Sequence, residues 1–506
     1  MASAQQAAAT RFYSEGQRLS AAGRHHDAIG KYENALVADP NDVRVLFALG
    51  NTARRLGLAR PAEEFFRKVL ALEPERIEAL VNLANLLRAN GGTEAAIALL
   101  VPALARNPDA PELLLTLGSA HREAGDSVKA ETFYREALAR RADYPEALGN
   151  LADLLADAGQ SDDALALYER AIRRDGANAQ LRLNRAILNL LKGNLKDGWR
   201  DYAARLKIPG KVPMAEHKLT RWSGEPLKRK RLLVTAEQGI GDEIMFASQF
   251  GDLIARAAQD GGSVVLECDA RLVPLFARSF PAAAVHASDL QTTGNVSHAQ
   301  YGWLKAMGGA NLSVEMGSLP KILRQSIDAF PNPHRYLVPD TEEASRWRSA
   351  LGEGPRIGIC WRSGKIGGLR TLQYAPLTAW AQFLRELPGT IVSAQYDATA
   401  AEIAELESLS GRTIVVPQGL DQKQEIDRTV AMLSTLDAVV SAPTAVSWLA
   451  AGAGVATFKV LRDTSWTSFG QSYEPFAPSC VCIGADGDWA NAFARIGTSL
   501  RQRFSA

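Results

Sequence analysis

"AEQGIGDEIMF", residues 236–246, is the stretch on which the reading of this chain turns. It follows the apolar, β-branched run RLLVT and precedes a helix-like stretch that ends near Gln259. Strand, glycine loop and helix in that order belong to parallel α/β sheets, where ligands bind beyond the carboxyl ends of strands. Gly239 and Gly241 permit positive φ and close backbone approach, and the helix that follows offers unpaired N–H groups to an anion or polar ligand. Asp242 reads as helix N-cap, as catalytic carboxylate, or as both. A dinucleotide site is the weaker reading. The pattern G-I-G-D lacks the third glycine, and only Glu267 and Asp269 offer an acid at the end of the next strand.

The same alternation continues outward from this loop. SVVLEC (263–268) is followed by the helical RLVPLFARSF and then AAVHAS (283–288). After GEGP (352–355) a second series begins: RIGICW, TIVSAQY, TIVV, AVVSA and ATFKVL, separated by helical patterns near 376–387, 397–409, 424–436 and 444–453. Two such series predict paired doubly wound domains, 228–335 and 354–506, with a cleft between them.

Residues 1–210 repeat themselves. Pro40, Pro74 and Pro108 are evenly spaced, and the same step reaches Ala142 and Gly176, a period of about 34 residues. Each repeat carries a small residue in a first helix (Gly16, Gly50, Ala84, Gly118, Ala152, Ala186) and another in a second (Ala28, Ala62, Ala96, Ala130, Ala164, Gly198). Four places later comes a large one: Tyr32, Phe66, Leu100, Tyr134, Tyr168 and Tyr202. The series resembles the tetratricopeptide repeat family. Such a solenoid leaves a groove that holds extended peptide, and Asn82, Asn150 and Asn184 share one register of its first helices while Asn51 and Asn85 share another. Amide side chains in register can pair with a peptide backbone without reading its sequence; the alternative is a solvated face. The last unit, GWRDYAARL, sets Gly198 and Arg205 where alanines stood, as suits a terminal repeat that meets something different.

Charge narrows the function classes. With 57 basic and 56 acidic residues the net charge is +1, which gives no electrostatic footprint for nucleic acid or an anionic membrane. The first residues lack a signal-peptide pattern and no apolar run reaches the roughly 20 residues of a membrane span, so the chain reads as cytoplasmic. The four cysteines suggest neither a disulfide framework nor a metal site, since Cys480 and Cys482 alternate along a strand with no partner ligands nearby.

Residues 222–250, WSGEPLKRKRLLVTAEQGIGDEIMFASQF, with GWRDYAARL before them, resemble the tetratricopeptide-linked members of the heptosyltransferase-like glycosyltransferases. SLP (318–320), WRSG (361–364), RTL (370–372), the strand end at Gln395, LDAVVSAPTAVSWLAAGAG (436–454) and GDW (487–489) extend the match along the chain. The resemblance implies a GT-B arrangement of two Rossmann-like domains and sugar transfer from a nucleotide-sugar, which is a substrate rather than a cofactor. It places the base at Asp242 and the donor on the second domain, with Gly239, Gly241 and Gln395 among the donor-side residues. Thr444 and Ala445 open a helix that can hold phosphate, and Arg362 and Lys365 can neutralise leaving-group charge. The nearest kind is the flagellin glycosyltransferases, whose implied donor is a CMP-linked nonulosonic acid such as pseudaminic acid.

The chain departs from the family where relatives carry Asp-Thr and it has Pro443-Thr444, where they carry a helix histidine and it has Trp448, and in KIGGLRTL, which lacks an aspartate before its arginine. Two readings therefore remain: a protein O-glycosyltransferase with the acceptor in the repeat groove, and an interaction scaffold with a degenerate transferase half. Sugar transfer to a lipid would not need the groove, and no basic amphipathic helix faces a membrane.

Overall fold

The computed structural model describes residues 2–237, 239–293, 296–331, 335–364 and 373–505. The chain divides into two compact units, Met1–Leu181 and Arg182–Ala506.

The first unit is helical throughout its regular structure: ten helices run from Ala2–Ala21 to Ser161–Arg174, and Ala179–Leu191 begins at its end. Within each repeat the turn between the two helices carries a glycine at positive φ, at Gly23, Gly57, Gly91, Gly125 and Gly159, with φ between 74° and 84°. A side chain would strain that left-handed turn, so the glycine recurs with the repeat. Small residues let the paired helices close up: a Cβ on Gly16, Gly50 or Gly118 would stand only 2.5–2.7 Å from the ring of Tyr32, Phe66 or Tyr134. Those rings are at most 2% exposed, and Ala28, Ala62, Ala96, Ala130 and Ala164 are fully buried, as the repeat spacing predicts.

The second unit opens with the remainder of helix Ala179–Leu191 and the helix Leu195–Tyr202. Here the division differs from a solenoid ending at residue 210. The reason is packing. Trp199 sits edge-on to Trp466, Phe469 and Phe476, and its indole N–H donates to the Arg324 carbonyl at 3.0 Å. Leu183, Ala186, Leu190, Trp199 and Tyr202 join the same buried core as the strand Arg231–Thr235.

Two larger sheets follow. Five parallel strands lie in the order Thr220–Arg221, Leu312–Glu315, Arg231–Thr235, Ser263–Cys268, Ala284–Ala287. Seven lie in the order Ile414–Val415, Thr390–Ser393, Arg356–Cys360, Ala438–Ser441, Thr457–Leu461, Ala477–Gly484, Tyr473–Glu474, and only the last pair is antiparallel. In the smaller sheet the chain reverses direction beside Arg231–Thr235, in the larger between Arg356–Cys360 and Ala438–Ser441. Such reversals open a crevice at the carboxyl ends of the central strands. The first sheet starts before Lys228, because Thr220–Arg221 pairs with Leu312–Glu315, and a three-stranded sheet of Met214–Ala215, Val296–Gln300 and Asp289–Thr293 stands beside it.

Candidate functional site

The glycine loop leaves the central strand of the five-stranded sheet. Its first residues are pinned: the Ala236 N–H donates to Glu267 Oε2 at 3.1 Å, and Glu237 turns inward to a bidentate ion pair with Arg205 (2.6 and 2.8 Å). Both partners of that pair are almost completely buried, and Glu237 also accepts the Gly317 N–H. Glu237 is thus committed to structure. Arg205, the residue that broke the repeat pattern, is its counter-ion.

Gly239 is the N-cap of the helix Ile240–Ala247, in extended conformation (φ −109°, ψ 162°). Neither Gly239 nor Gly241 uses the positive φ that glycine permits. Nor is Asp242 the cap. It is the third helical residue, its carboxylate accepting the Gly239 N–H at 3.3 Å. Burial raises its carboxyl above the ordinary aspartate range; the Glu237 charge adds to this, while the Gly239 N–H, Lys211 and Arg205 oppose it. Lys211, absent from the sequence reading, thus brings a positive charge to Asp242. The expected single helix to Gln259 is two, Ile240–Ala247 and Phe250–Gln259, broken where the Ser248 hydroxyl donates to the Met245 carbonyl.

A second carboxylate layer lies beneath. Glu243 accepts the Asp269 N–H at 2.8 Å, and burial pushes its carboxyl up to about 8. Glu267, also pushed up by burial, to about 7, accepts the Tyr301 hydroxyl at 3.1 Å. The first bond ties the helix Ile240–Ala247 to the end of the strand Ser263–Cys268. Of the two acids available to a dinucleotide ribose, Glu267 is buried and holds the Ala236 N–H and the Tyr301 hydroxyl, and the Asp269 carboxylate pairs with Arg271 at 2.7 Å.

In the seven-stranded sheet, the helix Ala445–Gly452 begins where the sequence placed it, just after Ala438–Ser441. Thr444 caps it, its hydroxyl accepting the Val446 N–H at 3.3 Å, and lies 3.3 Å from the Ser441 hydroxyl. Arg362 and Gln395 are both engaged by neighbouring groups. The Arg362 guanidinium is taken by Glu402 (2.7 Å to Oε2) and Asp397 (2.9 Å), so its charge is already matched. Gln395 is 2% exposed and accepts the N–H groups of Trp361 and Arg362, both at 3.0 Å, so it holds the loop from inside. Lys365 and the RTL match fall outside the described residues. Trp448 is buried, with the Lys459 ammonium 3.8 Å from its ring centroid and Glu474 2.7 Å from that ammonium. The Trp448 ring therefore covers a buried ion pair.

The two loops meet. A Cβ on Gly241 would lie 3.6 Å from Ala445 Cα and 3.8 Å from its nitrogen, so the start of one helix faces the start of the other. Gly239, Gly241, Asp242, Thr444 and Ala445 are thereby gathered at the carboxyl ends of both sheets; Arg362 and Gln395 support the floor. A single methyl at Gly241 would make only ordinary van der Waals contact with Ala445, whereas a larger side chain would press into the start of the facing helix.

Among the repeat asparagines, Asn82 and Asn150 bond to the preceding repeat, while Asn85 bonds within its own helix. Asn82 donates to Asn51 at 3.0 Å, Asn150 to the Ser119 hydroxyl at 3.1 Å, and Asn85 accepts from Arg88 at 2.8 Å. Asn51, Asn82 and Asn150 are half-buried, Asn85 is exposed, and Asn184 lies in the second unit. The ladder of amides is partly a bond between repeats, a role that spacing alone did not reveal.

Residues 13–76, 81–145 and 121–183 match family models described as tetratricopeptide repeat. The N-terminal region is a tetratricopeptide solenoid. Such repeats point to a protein partner. Protein FlbA of Caulobacter vibrioides is 32% identical over 340 residues, 64% of this chain and 55% of FlbA, so the chain spans just over half the length of that curated relative. A thermophilic tetratricopeptide protein of Thermus thermophilus is 30% identical, covering 36% of this chain and 100% of its own, with a TM-score of 0.33. MamA is 25% identical over 34% of this chain and 94% of its own, with a TM-score of 0.29. Among the described residues no helix is long and apolar enough to cross a membrane.

Proposed function

We propose that the chain is a protein O-glycosyltransferase: the solenoid binds a polypeptide and the α/β unit, as a GT-B pair of Rossmann-like domains, moves a sugar onto its Ser or Thr from a nucleotide-sugar. The carrying observation is the approach of Gly241 to Ala445, which sets the carboxylate-bearing helix start against the phosphate-receptive one. The acceptor hydroxyl attacks the anomeric carbon and gives its proton to Asp242. The bond from that carbon to the phosphate oxygen breaks, and the nucleotide leaves with the electron pair. The N-terminus of Ala445–Gly452 favours the anion that develops. A raised carboxyl suits a general base, because proton affinity near the working pH favours transfer. Flagellin and a CMP-linked nonulosonic acid are the acceptor and donor that the family resemblance implies.

A second reading, a scaffold with a degenerate cleft, draws on Arg362, whose guanidinium two carboxylates occupy, and on the buried Trp448. Calorimetric titration of the full chain with CMP, UDP, GDP and ADP separates the two. Binding of one nucleotide, lost in Gly241→Leu, supports the transferase; no binding of any nucleotide favours the scaffold.

A further inference from the structure

Apart from the cleft, the second unit holds a cavity of about 390 Å³ between the turn after helix Leu195–Tyr202 and the carboxyl ends of strands Thr220–Arg221 and Leu312–Glu315. None of Gly239, Gly241, Asp242, Thr444 and Ala445 lines it. Its volume is at the lower end of small-molecule sites, which run from roughly 300 to 1,000 Å³.

Charge sets it apart in a chain with a net charge of only +1. Arg205, Arg221, Arg256 and Lys321 line the cavity, and no Asp or Glu is among its described lining residues. Two of the cations are matched, Arg205 by Glu237 and Arg221 by Glu315, each at 2.6–2.7 Å. Arg256 and Lys321 have no carboxylate within 4.0 Å among the described residues. On the rim, Glu225 accepts the Ser223 N–H at 2.9 Å and feels the charges of Lys230 and Arg256, and Glu315 accepts the Ser318 hydroxyl at 3.1 Å. Arg256 is held ready: its guanidinium lies 5.4 Å from the Trp222 ring centroid and donates to the Gly224 carbonyl. The cost of ordering is thus already met for that side chain, and its remaining N–H groups are suited to a planar or tetrahedral oxyanion.

We propose that this cavity is a binding site for a small anionic molecule bearing a carboxylate or phosphate, held by Arg256 and Lys321. The buried Trp222 and Trp199 form apolar wall, and Ser223 and Gln325 supply hydroxyl and amide contacts for a polyhydroxy body. The site is independent of the transferase reading, because its residues are not those of the cleft.

The test is calorimetric titration of the full chain at low salt with inorganic phosphate, glucose 6-phosphate and N-acetylneuraminate, whose different anions separate phosphate from carboxylate chemistry. We expect at least one to bind with Kd at or below about 1 mM. Arg256→Gln with Lys321→Gln should weaken it at least about tenfold, the loss expected when a charge-assisted bond is removed. Lys321→Glu, at an exposed position, should do the same without disturbing the Arg256 contact to Gly224. Lys68→Gln, in the solenoid, should leave binding unchanged. Absence of binding by all three probes, or undiminished binding by both the double variant and Lys321→Glu, would overturn the proposal.

Discussion

Gly241 and Ala445 approach until a Cβ on the first would rest 3.6 Å from the Cα of the second, although about two hundred residues separate them in the chain. At that distance one methyl group is an ordinary van der Waals contact, and a branched side chain is not. Gly241→Ala should therefore keep nucleotide binding within a few-fold of the parent. Gly241→Leu should lower it by about tenfold or more, since overpacking a close contact costs about 1–3 kcal/mol. Titration of both variants with the nucleotide that binds the parent checks this; equal affinities for the Leu variant and the parent would remove the contact from the donor site.

Asp242→Asn retains an oxygen that can accept the Gly239 N–H, so thermal unfolding should barely change. Transfer should fall by about 100-fold or more, the usual share of a general base. A base works only when deprotonated. The parent rate should rise with pH through a value above the ordinary aspartate 3.8, and the variant should lack that limb. Turnover within a few-fold of the parent would place the base elsewhere.

The Arg205–Glu237 pair is at most 1% exposed on either side chain. Arg205→Met leaves a buried carboxylate unpaired and should cost about 3–5 kcal/mol, visible as a fall of about 10 °C in the melting of the second unit. Replacing both by methionine should recover part of that loss, because an apolar pair carries no desolvation penalty. A double variant less stable than the single would show that Glu237 is needed for its bond to Gly317 rather than for charge balance.

Glu243 predicts the sign of a pH effect. Its folded carboxyl is pushed up to about 8 from 4.5, so its contribution is fully present below pH 4.5 and is lost as pH rises through about 8. Glu243→Gln should therefore flatten the decline in melting temperature between those pH values and raise stability at pH 8 by at least about 2–4 °C. Melting curves across that range decide it. An unchanged slope would mean that the carboxyl ionises freely in the fold.

The solenoid was legible because each repeat states the same packing rule again: a small residue opposite Tyr32, Phe66 or Tyr134. The strands RLLVT, SVVLEC, RIGIC and AVVS were legible because buried parallel strands are near-continuous apolar runs. Leu312–Glu315 was missed, since a strand of four residues between glycine-rich flanks carries little pattern. The helix start at Thr444 could be read locally and the other only approximately, its cap being Gly239 and not Asp242; the approach of the two through Gly241 and Ala445 depends on tertiary packing. The same limit explains Arg362. A basic residue after a strand suggests an anion, and only the fold reveals Asp397 and Glu402 already beside it.

The central claim is that the α/β unit adds a sugar to a protein that the repeats bind. Intact-mass measurement of proteins copurified with the full chain, produced in cells whose own copy is deleted, compares the parent with Asp242→Asn. The account predicts a bound acceptor that carries a recurring added mass on Ser or Thr with the parent, and the same acceptor, bound but unmodified, with the variant. A bound partner without added mass in both preparations, or with the same added mass in both, would contradict it.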